Sequence, residues 1–398
     1  MRKQSFEWIN DVESGDRERM RETFPWAQQM ADCPQDILYH AEGDVWTHTM
    51  MVLTNAENRS GPEDLTIMRL AAMFHDCAKP ETTVFEWSES EQRDRVRQPN
   101  HARKGADKAW RSLVDAGYDM NIAREVVSLC FWHQRPTHIN EQSYPAGRIS
   151  RYVAEGGRWD RLLELCRSDQ SGRISPNVED GLLALDLLEI DIRELSDNLG
   201  YDLMSGEMPD SPEWRVRMGE KWSADPFYSP PREDKNTLTV MSGLPGSGKS
   251  TWVRENGGDA TVISLDEIRS EFRRYKRNQE FEGKCFQEAS KRLRQALAAK
   301  QDVIWDACCL DERSRVKILG LGRSYDANTR VVSIDDPYHD AFQRNSEREN
   351  PVPSSVMEGM ANSREMVLMT EAHQVLSVRD GISLDISVKR EPVTAPQP

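Results

Sequence analysis

The sequence predicts two joined lobes, an all-α domain over residues 1–202 followed by an α/β domain with a parallel sheet over residues 237–390, and three observations carry that expectation. Apolar residues through the first half recur at helical spacing, as at Ile67, Leu70, Ala71 and Phe74, which fall on one stripe at i, i+3, i+4 and i+7. Residues 203–236 change character, with Pro209, Pro212, Pro226, Pro230 and Pro231 among charges and aromatics, so a linker or wrapping segment is expected there. Beyond it, short β-type runs at Thr237 to Met241, Thr261 to Ser264, Val303 to Trp305 and Val331 to Ile334 alternate with longer helical stretches. Such alternation implies a parallel sheet covered on both faces. A polar stretch, residues 391–398, reads as a flexible tail.

At 398 residues the chain is long enough for two or three cores, and no apolar run approaches the 18 residues of a membrane span. The first residues lack the apolar stretch of a signal peptide, and the seven cysteines are odd in number with no C-x-x-C pair. A cytoplasmic setting with reduced thiols is therefore expected. The net charge of −15 is unevenly spread, with 29 Lys plus Arg against 43 Asp plus Glu in residues 1–235 and 23 against 24 afterwards. An acidic chain is poorly suited to long nonspecific duplex binding, which draws on phosphate neutralisation. It can still act on a nucleic-acid end. Residues 269–300 do concentrate ten basic residues against four acidic ones, including Arg273, Arg274, Lys276 and Arg277, which fits either a phosphate-tracking surface or a solvated helix face.

Residues 243–250, Gly-Leu-Pro-Gly-Ser-Gly-Lys-Ser, fill the G-x-x-x-x-G-K-[ST] pattern directly after the first predicted strand of the second lobe. Gly243, Gly246, Ser247 and Gly248 let backbone N–H groups turn inward on a phosphate chain. Lys249 reaches the terminal phosphates, and Ser250, with Thr251 beside it, opens a helix whose N-terminus favours anions and whose hydroxyl can hold Mg²⁺. Downstream, Asp266 and Arg269 follow the second strand, where α/β folds gather ligands, and a carboxylate there can accept a hydroxyl proton. Asp306 ends the third strand, the place for an acidic residue that engages Mg²⁺ through water. Arg344 and Arg348 lie four apart, so on a helix both guanidinium groups would share one face and close over phosphates as a lid. Together these supply a base, a metal ligand and cations, which phosphoryl transfer requires.

This set, Gly-x-Pro-Gly-Ser-Gly-Lys-Ser-Thr-Trp-x-Arg-Glu, the D-x-x-R of Asp266 and Arg269, and Arg-Asn-Ser-x-Arg at 344–348, resembles the kinase module of phage-type polynucleotide 5′-kinases over residues 237–370. The resemblance implies ATP as donor with Mg²⁺, held by Lys249 and Ser250. It also implies Asp266 as base for a 5′-hydroxyl, Arg269 on the acceptor's phosphate, Asp306 as a site aspartate, and Arg344 and Arg348 as lid arginines. The D-x-D-x-T phosphatase motif that follows the kinase in the phage enzyme does not occur here.

Six of the eight histidines, His40, His48, His75, His101, His133 and His138, lie within residues 40–138. Adjacent His75 and Asp76 can grip one metal from consecutive positions, and His48 with Asp169 completes a mixed nitrogen and oxygen set. Such ligands suit Mn²⁺, Fe²⁺, Co²⁺, Ni²⁺ or Zn²⁺. The pattern Asp44-Val-Trp-Thr-His48, then His75-Asp-Cys-Ala-Lys79, Asn100-His101 before Gly105-Ala106, and Asp169 with Ser171-Gly-Arg173 resembles the HD-superfamily phosphohydrolases over residues 37–195. That resemblance implies His48, His75, Asp76 and Asp169 as ligands and Lys79 on a phosphate oxygen. His101 and His133 are candidates for a second metal or for contact with the scissile phosphate, His40 is a lesser candidate, and His138 reads as surface.

The two lobes in this order resemble bacterial fusions of an HD phosphohydrolase with a polynucleotide kinase, which act in RNA repair. The implied activity is end healing: ATP-dependent phosphorylation of 5′-hydroxyl ends, and metal-dependent removal of a 2′,3′-cyclic, 2′- or 3′-phosphate. RNA or DNA ends would be substrates, and with no K-x-D-G motif in the chain a separate RNA ligase would seal them. Two alternatives stand beside this one. The chain could join a nucleotide-metabolising phosphohydrolase to a small-molecule kinase, or be a non-catalytic nucleotide sensor.

Overall fold

The computed structural model describes residues 6–231, 233, 235–272 and 279–387. They divide into two compact units that meet in sequence between Met208 and Pro209. The basic run Arg273, Arg274, Lys276 and Arg277 and the tail at 391–398 lie outside the described residues.

The first unit is helical. Its centre is the Leu65–Phe74 helix, in which Ile67, Met68, Leu70, Ala71, Ala72, Met73 and Phe74 are all buried, so the helix is enclosed on every side rather than along one stripe. The Val45–Arg59, His101–Asp115, Met120–Trp132 and Trp159–Ser171 helices surround it. Phe74 stands edge-on to Trp8 and Phe24 at 5.5 Å centroid separation in each case, a geometry worth about 0.5–1.5 kcal/mol beyond area burial. Asp44 caps the Val45–Arg59 helix by accepting from the Thr47 N–H at 2.8 Å, a contact worth about 1 kcal/mol. One departure from the all-α expectation appears. Strands β1 (Val84–Ser88) and β2 (Arg93–Arg97) form an antiparallel hairpin, paired Val84 to Arg97 through Ser88 to Arg93. Its alternating residues are mostly exposed and many are charged, so no sustained apolar period announced it.

The second unit is built on a six-stranded sheet of β3 (Thr237–Ser242), β4 (Thr261–Ser264), β5 (Val303–Asp306), β6 (Asn328–Ile334), β7 (Gln374–Arg379) and β8 (Ile382–Asp385), in the order β4-β5-β3-β6-β7-β8. All pairs are parallel except β7 with β8, so an antiparallel hairpin closes the edge that the strand reading had not foreseen. Successive residues of a strand enter opposite layers. Val240, Trp305 and Val331 join one core with Leu293, Leu297, Ile318 and Leu319, while Met241, Ile304 and Val332 join another with Trp252 and Val378. This is the near-continuous apolar strand of a sheet covered on both faces.

The Pro212–Glu220 helix belongs to this unit. Trp214 is buried, and the Arg215 guanidinium donates to the carbonyls of Met369, His373 and Ser387 at 3.1, 2.7 and 2.8 Å.

Candidate metal centre and nucleotide site

Five of the helices of the first unit bring side chains to one buried point. His48 comes from a buried position of the Val45–Arg59 helix, and His75 caps the Leu65–Phe74 helix with Asp76 in the turn after it. His101 opens its helix, His133 ends the Met120–Trp132 helix, and Asp169 lies in the last turn of the Trp159–Ser171 helix. Gly105 permits the close approach, since a Cβ there would meet the Phe74 carbonyl oxygen at 3.0 Å and that of His75 at 3.3 Å.

Each ring is oriented by its Nδ1. That atom lies 2.7 Å from the Ala72 carbonyl in His75, 2.7 Å from Gln98 in His101, 2.7 Å from Cys130 in His133 and 3.2 Å from Gly172 in His48. In His75, His101 and His133 this turns Nε2 to the centre, the arrangement in which outer partners orient a ligand, while His48 Nε2 also faces Asp169 at 3.0 Å.

Asp76 divides the cluster. Its Oδ2 lies 3.2 Å from His75 Nε2 and 3.6 Å from His48 Nε2, and its Oδ1 lies 3.1 Å from His101 Nε2 and 3.9 Å from His133 Nε2. Asp169 Oδ1 is 3.0 Å from His48 Nε2 and also takes the Arg173 fork, whose Nη2 is 2.5 Å from Oδ2. Lys79 Nζ sits 2.7 Å from Asp76 Oδ2 and 2.7 Å from Gln35 Oε1.

Two observations test whether these residues suit a metal. His75 Nε2, His101 Nε2 and Asp76 Oδ1 are buried with no hydrogen-bond partner. Within each half of the cluster the imidazole Nε2 atoms lie 3.1 to 3.9 Å from an oxygen of Asp76, near enough to share one ion. The groups His48, His75 and Asp76, and Asp76, His101 and His133, both fit a cation.

Electrostatics agree. Burial opposes ionisation of Asp76, but His75 and Lys79 hold its carboxyl well below the usual range. Burial likewise opposes Asp169, and Arg173 followed by His48 holds it down. Burial pushes His133 down to about 3, so its ring is neutral and able to ligate.

Two contributors escaped the sequence reading. The Glu42 side chain is buried, and its Oε1 lies 2.8 Å from His40 Nδ1 and 3.0 Å from His48 Nδ1, while Oε2 accepts the Ile174 N–H at 2.9 Å. Gln35 is the other. Both sit on the 34–43 loop, and no spacing rule distinguishes them from solvated residues. His40 joins the site's edge through Glu42, whereas His138 is exposed.

In the second unit the glycine loop follows β3 at the carboxyl end of the sheet. Gly246 and Gly248 have φ of 77° and 105°, and Lys249 begins the Lys249–Asn256 helix with Ser250 and Thr251 exposed behind it. Lys249 Nζ donates to the carbonyls of Gly243 and Leu244 at 3.0 and 2.8 Å, bracing the loop, and Ser247 Oγ is buried without a partner. These features fit a nucleoside triphosphate. Asp306 ends β5 opposite Ser264 of β4, and burial, opposed by Lys249, raises its carboxyl above the ordinary range.

Asp266 and Arg269 fall within the Leu265–Glu271 helix, paired at 2.7 Å, and Arg269 also forks onto Glu282. The helix carrying Arg344, Tyr338–Ser346, lies against the glycine loop: a Cβ on Gly246 would meet the Ala341 carbonyl oxygen at 2.5 Å. Arg344 pairs with Asp336 at 2.8 Å. The expectation that Arg344 and Arg348 share one helical face is corrected here, because the helix stops at Ser346 and Arg348 lies in the bend beyond it. Asn345 replaces the next helical turn with a side-chain turn of its own, accepting from the Val352 N–H at 3.1 Å and donating to its carbonyl at 2.8 Å.

Comparison with known families agrees with both geometries. The HD domain family matches residues 45–167, and the AAA domain family matches residues 238–367. No curated protein matches the chain. A chain in the solved structure of the Pnkp1/Rnl/Hen1 RNA repair complex is similar at 21% identity and a TM-score of 0.30, over 33% of this chain and 45% of its own length. This chain therefore spans less than half of that one. Among the described residues no helix is long and apolar enough to cross a membrane. The polypeptide thus joins an HD domain with a buried histidine and aspartate cluster to an AAA domain of the P-loop, kinase-like kind.

Proposed function

We propose that this protein heals broken polynucleotide ends, the HD unit removing a 2′,3′-cyclic, 2′- or 3′-phosphate and the P-loop unit phosphorylating a 5′-hydroxyl. The observation that carries the reading is the convergence of four imidazole Nε2 atoms on the two oxygens of Asp76, in a chain that also bears a complete phosphate loop.

In the HD unit His48, His75, Asp76 and Asp169 would hold one transition-metal ion, drawn from Mn²⁺, Co²⁺, Ni²⁺, Fe²⁺ and Zn²⁺, and His101 and His133 would serve a second. Such a metal supplies a hydroxide near neutral pH and a Lewis acid at phosphorus. Lys79 and Arg173, both now paired with site carboxylates, balance the charge that grows on the phosphate oxygens.

In the P-loop unit Gly243, Gly246, Ser247, Gly248, Lys249, Ser250 and Thr251 would take the ATP phosphates, and Ser250 and Asp306 would serve Mg²⁺. The 5′-hydroxyl oxygen attacks the terminal phosphorus, the bond to ADP breaks, and the hydroxyl proton passes to Asp266. Asp266 is well exposed and open to an acceptor. Arg269 steadies the acceptor's phosphate, with Arg344 and Arg348 over the transferring group. Seven free cysteines fit a reducing compartment such as the cytoplasm, and a separate ligase would join the healed ends.

The test uses one oligonucleotide bearing a 5′-hydroxyl and a 2′,3′-cyclic phosphate. Lys249→Ala should abolish phosphorylation and spare phosphate removal, and Asp76→Ala should do the reverse. Loss of both activities in either variant, or neither activity in the parent, would sink the assignment.

A further inference from the structure

The β1–β2 hairpin is inserted between Lys79–Thr82 and the helix that His101 opens, so both of its ends run into the candidate metal centre. The loop at residues 34–43 fastens it there. Asp36 takes a bidentate Arg93 at 2.9 Å on each oxygen and the Val96 N–H at 3.2 Å, which lays the loop along the outer edge of β2. Arg95 covers the Tyr39 ring at 6.0 Å. The same loop sends Gln35 to Lys79 and Glu42 to His48. Hairpin, loop and phosphate-handling cluster are one connected structure.

Its outer surface does not look like that of an ordinary soluble hairpin. Phe85 and Trp87 stand two apart on one face of β1, 71% and 53% exposed, and Ile37 at the loop tip is 78% exposed. Among the described residues no ring or cation packs on either aromatic. Large exposed apolar groups beside a site mark a binding surface.

Charge selects the occupant. Residues 93–111 carry seven Lys or Arg against two acidic residues, and Glu81, Glu86 and Glu91 just before that run pair with five of the seven. Arg97 pairs with Glu86 at 2.8 Å with both groups about half exposed, and an exposed pair of that kind yields readily to a phosphate. Lys104, also exposed, is 3.9 Å from Glu81. Exposed aromatics combined with a local basic run fit a single nucleic-acid strand, whose bases stack irrespective of sequence while its backbone seeks cations.

We propose that this hairpin, with the loop beside it, is a stacking platform for unpaired bases of a single-stranded polynucleotide whose terminal phosphate enters the histidine cluster. The proposal rests on the hydrolytic reading of that cluster and gives its substrate class: a strand end, not a free nucleotide.

The full chain and its Phe85→Ala/Trp87→Ala variant would be compared on a ten-nucleotide single strand ending in a 2′,3′-cyclic phosphate and on bis(p-nitrophenyl) phosphate. Anisotropy with the matching labelled 3′-hydroxyl strand would report binding without chemistry. The expected result is a KM and a dissociation constant for the strand raised roughly tenfold or more, as loss of base stacking entails. Turnover of the small ester should stay within twofold. Strand binding and KM within twofold of the parent would overturn the platform. So would a variant that only abolishes self-association, which would make the face an interface between copies. If the parent hydrolyses neither substrate, the hydrolytic reading fails, and anisotropy alone then decides whether the hairpin binds a strand. Should the double variant melt early, Phe85→Leu and Trp87→Leu singly would replace it, with the same limits.

Discussion

Asp76→Asn offers the sharpest measurement on the candidate metal centre, because it separates a buried charge from its partner at nearly constant volume. Asp76 and Lys79 are 2% and 5% exposed and their charged atoms are 2.7 Å apart. Asparagine keeps a hydrogen-bond acceptor for Lys79 but leaves the ammonium without a counter-charge, and breaking a buried pair in this way costs about 3–5 kcal/mol. For a unit of this size, where 1 kcal/mol moves the midpoint by about 2–4 °C, the melting temperature should fall by roughly 6–20 °C. The assay is thermal unfolding of chelator-treated protein at pH 7, following the transition of the first unit. Asp76→Asn/Lys79→Met removes both charges and should recover most of the loss, since replacing both members of a buried pair is often close to neutral. A single variant that melts within about 2 °C of the parent, or a double variant as unstable as the single, would refute the argument that an uncompensated ammonium is the cause.

Two further outcomes are expected. Glu42→Gln preserves shape but cannot offer acceptors to His40, His48 and the Ile174 N–H together, so metal affinity of the HD unit should drop roughly ten- to a hundredfold, the usual cost of losing an outer carboxylate. Titration of the stripped protein with Mn²⁺ checks this, and unchanged affinity rejects it. In the second unit, burial pushes His373 down to about 4 from 6.5, and its Nδ1 accepts the Thr329 N–H at 3.0 Å. Between those values the unfolded chain binds a proton that the folded chain does not, so stability is full above pH 6.5 and falls by roughly 3 kcal/mol as the pH drops through 4. Urea unfolding of the second unit across that range should show the loss in the parent and a flatter profile in His373→Gln. Equal slopes would exclude His373 as the source.

What the sequence could determine was whatever is written in local pattern. The glycine loop needs only eight consecutive residues, and backbone geometry follows from them: Gly246 and Gly248 take left-handed φ values because the loop must turn its N–H groups inward. The strands of the second unit were legible because burial on both faces makes them short apolar runs, and the histidines because six fall within a hundred residues of each other. The hairpin was not legible, since β2 is almost wholly charged and the apolar pair of β1, Phe85 and Trp87, alternates over too few positions to mark a strand. The reach of the Tyr338–Ser346 helix was not either, because Asn345 ends it with a side-chain turn no propensity distinguishes from a continuing helix.

Tertiary structure alone decided which atoms meet. Nothing in residue order distinguishes Glu42 from dozens of other acidic residues, yet it lies beneath His40 and His48. Nothing local says that Asp76 turns one oxygen to His48 and His75 and the other to His101 and His133. Contacts in this site reach as far as His48 with Asp169, 121 positions apart, and they arise from helices packing around Leu65–Phe74. Ligand chemistry is a property of residue types and can be read along a chain. Ligand geometry depends on packing between distant segments, and only the folded chain contains it.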